Sequence, residues 1–218
     1  MLIDEYFDGE NICPVCRIKA TVEKRLAETY LGEAVMEDET RKEVNSLGFC
    51  SRHFDILYKM PSKLGLALQT HTRIKTLYKS IISPVKAKSA KKAAEKIEKS
   101  ISSCVICKYL DEHMIRYYKT IAEVYFSDEK FKEKLLLSKG FCLPHYEKLV
   151  KYSAYAKNKA DDYLASLHKV ESESFERAES SLDAFCAHHD YRKASEPLGE
   201  NKNALPNARK TLYETDFN

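Results

Sequence analysis

The sequence predicts an all-α protein, internally duplicated, in which two metal-stapled halves are joined by a basic helix. Three observations carry this expectation. Gly and Pro number six each in 218 residues, too few for the many turns of an all-β chain. Long stretches free of both place apolar residues at helical rather than alternating steps. A short unit bearing cysteine and histidine occurs twice.

Hydrophobic residues at 44% and charged residues at 32% are ordinary globular composition. A formal net charge of +3 gives no overall field that demands nucleic acid or an anionic surface. No apolar run approaches the ~18 residues of a membrane span. The start MLIDEYFDGE lacks the basic and apolar regions of a leader. These features predict a cytoplasmic protein with no membrane segment. Seven cysteines in such a chain read as ligands or reactive thiols rather than disulfides.

The repeat sets the boundaries. NICPVC at 11–16 matches SSCVIC at 102–107, and GFCSRHF at 48–54 matches GFCLPHY at 140–146. Cys13 to Cys104 and Cys16 to Cys107 are both 91 residues; Cys50 to Cys142 and His53 to His145 are both 92. Four matched positions with one residue of drift define a unit of C-x2-C, a helical interval and G-F-C-x2-H. Residues 1–83 then form the first helical half, 84–101 a basic connecting helix, 102–194 the second half and 195–218 an irregular C-terminal segment.

Within the first half, Ile18, Val22, Leu26, Tyr30 and Ala34 fall at four-residue steps in a stretch with no Pro and one Gly. An unbroken helix of about 30 residues would hold its ends ~45 Å apart, too far for both ligand pairs to share an ion. Breaks are expected at Asp38 and at Ser127-Asp128, good N-caps followed by charged first turns. With such a return helix, closure within each half is the favoured pairing, and exchange of pairs between halves is the alternative. After the first GFCxxH, Leu64, Ala67, Leu68, His71, Ile74, Tyr78 and Ile81 share one face of a helix ending before Pro84. On that stripe His71 reads as a hydrogen-bonded core residue. Ala87, Ala90, Ala94, Ile97 and Ile101 keep a spacing that predicts helix through the connector. The second half repeats the pattern, with no Gly or Pro from His145 to about Phe185.

C-x2-C supplies two thiolates on one turn, and C-x2-H a thiolate and an imidazole on the first turn of a helix. Together they make the four ligands of a tetrahedral zinc ion, with no open position for a catalytic water. The candidate sets are Cys13, Cys16, Cys50, His53 and Cys104, Cys107, Cys142, His145, implying two zinc ions per chain. Gly48 and Gly140 offer the positive φ that turns the chain into each ligand loop. An iron–sulfur cluster on three thiolates and one imidazole is the main alternative. Buried, inert thiols with satisfied histidines are the bland one. CPVC resembles a thioredoxin-type pair, but the βαβ context for that chemistry is missing. In FCAHHDY, Cys186 and His189 copy the F-C-x2-H pattern. With no third C-x2-C, Cys186, His188 and His189 are possible additional ligands or simply a surface thiol and two histidines.

Catalytic signatures are scarce. Glycines at 9, 32, 48, 65, 140 and 199 cannot write G-x-G-x-x-G or a P-loop, and HExxH, GxSxG and C-x-x-C-H are absent. Glu33 and Glu37 lie one helical turn apart, yet no histidine follows a glutamate at the third position as a di-iron bundle needs. The reading leans away from an enzyme, toward a metal-binding interaction or adaptor module with a protein partner. The alternative is an iron–sulfur or thiol-based redox or sensor protein. Lys86, Lys88, Lys91, Lys92, Lys96 and Lys99 against Glu95 and Glu98 make residues 86–99 locally +4. That face could touch nucleic-acid phosphates, although it offers no Arg for base reading and no aromatic for stacking. A solvated helix face is the simpler account.

Over residues 11–212 the chain resembles a family of uncharacterised bacterial proteins, common in anaerobic Firmicutes and known as a domain of unknown function. The resemblance rests on YLGEAVMEDETRKEVNSLGFCSRHFDILYK, LGLALQTHT, SKGFCLPHY and DYRKASEPLGENKNALPNARKTL. It implies no activity, substrate or ligand set, and Cys186 departs from the family pattern.

Overall fold

A computed structural model describes residues 2–10, 13–82, 84–188 and 199–215. All regular structure among them is helical. The helices are α1 (Leu2–Tyr6), α2 (Pro14–Leu31), α3 (Asp38–Leu47), α4 (Ser51–Lys59), α5 (Lys63–Ser80) and α6 (Ala90–Ile101), followed by α7 (Val105–Ser127), α8 (Glu129–Leu136), α9 (Leu143–Lys151), α10 (Ala160–His188) and α11 (Ala204–Leu212).

The chain forms two compact units that cut across the sequence halves. One is Thr21–His113; the other comprises the residues before it and those from Met114 onward. The chain passes between units inside α2 and again inside α7. Divisions at 83/84 and 101/102 therefore do not mark compact bodies. Of the connecting helix expected over 84–101, α6 covers Ala90–Ile101, after a 3-10 turn at Ala87–Ser89 and non-helical residues at 84–86, and it belongs to the Thr21–His113 unit.

Both expected breaks occur. The first follows a 3-10 turn over Glu33–Met36, but Asp38 is the first residue of α3 and not its cap: Glu37 is the N-cap and makes no side-chain cap bond. Asp128 caps α8, its side chain accepting from the Lys130 backbone N–H at 2.9 Å. A further break falls where His145–Phe185 reads as unbroken: Ser153–Lys159 is 3-10, and Lys157 takes φ 54°. No Gly or Pro signals that turn.

In the flanking unit, Phe7, Phe131 and Phe141 cluster, with ring centroids 5.0 and 6.3 Å from Phe7. Tyr125 and Tyr163 pack at 4.9 Å, and Ile121, Leu135, Leu149 and Leu167 are fully buried beside the same helices. The C-terminal segment, expected to be irregular, contains α11, which buries Ala204, Ala208 and Thr211. Pro206 lies in its first turn, where no intrahelical N–H is required.

In the Thr21–His113 unit, Ala27, Tyr30, Leu31, Val44, Leu57, Leu66, Val105 and Ile106 form the core. Arg73 ties the C-terminal ends of α3 and α6 together: Nη1 donates to the Asn45 and Ser46 carbonyls at 2.6 and 2.9 Å, and Nη2 to the Ser100 carbonyl at 3.1 Å. A cation on exposed helix carbonyls answers both their unmet acceptors and their negative dipole end. The apolar stripe of α5 faces the other way. Gly65, Leu66 and Gln69 are buried, while Leu64, Leu68, Ile74 and Tyr78 are exposed. His71 is exposed with them and is not a core residue.

Candidate metal centres

The eight ligand candidates gather into two groups, but not the ones favoured by the sequence. Cys13 and Cys16 meet Cys142 and His145; Cys50 and His53 meet Cys104 and Cys107. Each C-x2-C pair thus joins the GFCxxH of the other half, which overturns closure within each half. In the second half helix length opposes closure. Twenty-three residues of α7 run about 34 Å outward, and eight residues of α8 return only about 12 Å. Too few residues remain to close the gap comfortably.

All four ligands of each centre sit at the starts of two helices. Cys50 and Cys142 are the N-cap residues of α4 and α9, and His53 and His145 follow in their first turns. Cys13 and Cys104 immediately precede α2 and α7, with Cys16 and Cys107 in the first turn. Two positive dipole ends therefore converge on each set of thiols, which favours thiolate. Gly48 and Gly140, at φ 69° and 122°, turn the chain into the loops as expected. In the second centre the loops are sewn together: Val105 N–H donates to the Gly48 carbonyl at 3.0 Å, and Ser103 Oγ to the Leu47 carbonyl at 2.7 Å.

The spacing suits one tetrahedral ion per centre. Ligand bonds of ~2.3 Å to sulfur and ~2.0 Å to nitrogen put sulfurs about 3.8 Å apart and sulfur and nitrogen about 3.5 Å apart. In the first centre His145 Nδ1 lies 3.5, 3.3 and 3.1 Å from Cys13, Cys16 and Cys142 Sγ, and Cys16 and Cys142 Sγ are 3.6 Å apart. In the second, His53 Nδ1 lies 3.2, 3.3 and 3.3 Å from Cys50, Cys104 and Cys107 Sγ, and Cys50 and Cys107 Sγ are 3.8 Å apart. Every ligand atom of a centre is within 4.8 Å of the others.

Electrostatics point the same way. In the second centre burial pushes the Cys107 thiol well up, and the Cys104 and Cys50 charges add to it. Burial is the largest single influence on Cys104 and acts upward, but the bond to His53, the backbone N–H bonds at Cys107 and Cys50 and the His53 charge together bring it down to about 6. For His53, burial acts downward, yet Cys104 and Glu23 raise it to about 10. In the first centre, hydrogen bonds from Cys13 and Cys142 depress Cys16, while burial drives Cys13 well up. At Cys142, Cys13 acts downward, but Cys16 and burial push the thiol up to about 12. Packed this closely, the thiols of one centre resist ionising together. A divalent cation bound among them would supply the missing charge.

Two carboxylates, both missed in the sequence, complete the geometry. His53 Nε2 lies 3.0 Å from Glu23 Oε1; Glu23 is buried and takes a two-pronged bond from Arg52 at 2.5 and 2.9 Å. His145 Nε2 lies 3.3 Å from Glu214 Oε1, in a less favourable alignment. Glu214 also pairs with Lys19, and Thr215 N–H points to Cys16 Sγ at 3.5 Å. A carboxylate behind a histidine fixes the ring tautomer and raises its basicity as a ligand. For Glu23 the available signal was its place on the buried arc of α2, two turns beyond Cys16. Nothing local marks Glu214.

Cys186 is exposed and joins neither group; His188 ends α10 outside both, and His189 lies outside the described residues. Among the described residues, no helix is long and apolar enough to cross a membrane.

Comparison with known families brings one match, spanning residues 1–216. The chain belongs to DUF6062, a family of unknown function. No curated protein and no solved structure matches this DUF6062 chain.

Proposed function

We propose that this DUF6062 protein binds two zinc ions at structural Cys3His centres and uses the stapled helical scaffold as an interaction or adaptor module. One observation carries the reading: eight ligand atoms lie in two sets of four at the separations of a single tetrahedral ion. A multi-iron cluster would hold ligands on different irons about 6 Å apart, which neither set approaches. Four protein ligands leave no open position for a catalytic water, so the centres suit folding rather than turnover. Bound zinc would join helix starts far apart in sequence, Cys13/Cys16 to Cys142/His145 and Cys50/His53 to Cys104/Cys107, the second pairing nested within the first along the sequence.

The test is metal and acid-labile sulfide content of protein purified without oxygen, with a visible spectrum. Two zinc per chain and a colourless preparation are expected. Iron with sulfide and a broad band near about 400 nm would replace this reading with a redox one. Metal-free, fully folded protein would remove both.

A further inference from the structure

The geometry points to the outer face of α5 as a docking site for an acidic amphipathic helix of a partner protein. This inference rests on the proposed interaction role and gives it a surface and a partner chemistry.

The first observation is that α5 is mounted through Gly65, Leu66, Gln69 and Arg73, with most of its apolar stripe on the opposite side. Gln69 Nε2 donates to the Tyr30 carbonyl at 2.8 Å, Arg73 holds α3 and α6, and Gly65 brings the helix against Val35 and the Leu31 carbonyl. These contacts fix the helix's rotation, so its apolar stripe is held outward. Leu64, Ile74 and Tyr78 are 73%, 61% and 67% exposed, and Leu68, His71 and Ala67 are exposed among them. Ile82 and Val85 extend the apolar exposure past the helix end. Neighbouring α6, joined to α5 by Lys96 Nζ on the Ser80 carbonyl, buries nothing and exposes Ile97 and Ile101. Scattered exposed apolar residues are ordinary, but a continuous helical row is not.

The second observation is the shape of the row. Leu64, Ala67, His71, Ile74 and Tyr78 recur at steps of three and four residues, the narrow seam of helix-to-helix packing. A bilayer surface favours a wider apolar face with bulky aromatics.

The third is charge. Residues 56–94 contain no Asp or Glu and nine basic residues: Lys59, Lys63, Arg73, Lys75, Lys79, Lys86, Lys88, Lys91 and Lys92. A second copy would bring this basic α5 against its like, which costs rather than stabilises. A partner helix with apolar seam residues and Glu or Asp on its flanks meets both the row and the lysines.

The experiment uses the full zinc-loaded chain and a fluorescein-labelled 21-residue peptide carrying Leu and Ile at seam positions and Glu on both flanks. A peptide with Lys on the flanks is the control. Saturable anisotropy for the Glu peptide is expected, weakening as NaCl rises from 50 to 300 mM, with no binding of the Lys peptide. The variant Leu64→Glu/Ile74→Glu should weaken binding at least tenfold while keeping its metal content and melting temperature, because both side chains face water. Absence of Glu-peptide binding overturns the inference, as does equal binding of the two peptides. It is also overturned by cosedimentation with vesicles containing phosphatidylglycerol, by retention on duplex DNA, or by a dimer in sedimentation velocity that the variant abolishes. Metal content measured on the same samples separates this failure from that of the zinc reading: two zinc per chain without peptide binding removes only the docking surface.

Discussion

Replacing Glu23 tests whether the histidine ligands are set by the carboxylates behind them. The Glu23 side chain is 3% exposed, with Oε1 3.0 Å from His53 Nε2 and both oxygens engaged by Arg52. Glu23→Gln preserves volume and removes the charge that polarises the imidazole. Arg52 is 42% exposed at its side chain, so its guanidinium can return to water and the cost falls mainly on His53. Loss of such a partner weakens metal binding by roughly 10- to 100-fold, or about 1.4 to 2.7 kcal/mol. The assay is competition for zinc against a chromophoric chelator, which resolves two binding constants per chain. Only one constant should fall. Glu214→Gln should lower the other by less, because Glu214 is 37% exposed and its contact with His145 is longer. Unchanged constants in Glu23→Gln, or equal losses at both centres, refute the argument that the buried carboxylate tunes its own centre.

Cys142→Ser should release amide protection in the flanking unit, and Cys50→Ser in Thr21–His113; hydrogen exchange mapped to each unit distinguishes them, and uniform loss in both variants would contradict separate staples. Gly140→Ala places a Cβ 2.2 Å from Ser174 Oγ at φ 122°. It should cost about 2–5 kcal/mol from backbone strain and overpacking together, read by urea denaturation. Glu171 is buried, accepts from Phe141 N–H at 2.9 Å, and burial pushes its carboxyl from 4.5 up to about 7. The raised value means the folded state holds the proton more tightly. Stability from this group is therefore full below about pH 4.5 and lost as pH rises through 7, by about 3 kcal/mol in all. Glu171→Gln should accordingly raise the melting temperature of zinc-saturated protein at pH 8 and leave it nearly unchanged at pH 5.

The sequence makes some features legible because their causes are local. C-x2-C and C-x2-H each fit one helix start, so the identity of the gathered residues follows from spacing. The turns at Gly48 and Gly140 and the cap at Asp128 depend on a few neighbouring atoms. What escaped depends on distant partners. Glu23 lies 30 residues from His53, and Glu214 nearly 70 from His145. No pattern ties either carboxylate to its imidazole. The α11 helix stands in a segment whose Pro and Asn suggest a loop, and its contacts with α10 settle the matter. For α5, periodicity gave the apolar face correctly but not its direction. Hydrogen bonds from Gln69 and Arg73 decide that.

Ligand pairing is where local and global information part most clearly. Both the intrahalf and the exchanged arrangement satisfy every spacing in the sequence, and each yields two Cys3His sets. The choice turns on how far a helix runs before it breaks. With 18 residues, α2 advances about 27 Å, and the ten residues of α3 recover about 15 Å of it. The mismatch is larger for α7 and α8. Exchange removes the need to return at all, since each long helix can end in the unit where it does not begin. It also means that neither sequence half contains a complete centre. A chain cut between Ser83 and Ser102 should therefore yield two fragments that each hold zinc weakly and recover two tight sites only when mixed. Tight, stoichiometric zinc binding by the isolated 1–83 fragment would show that the exchanged pairing is not required.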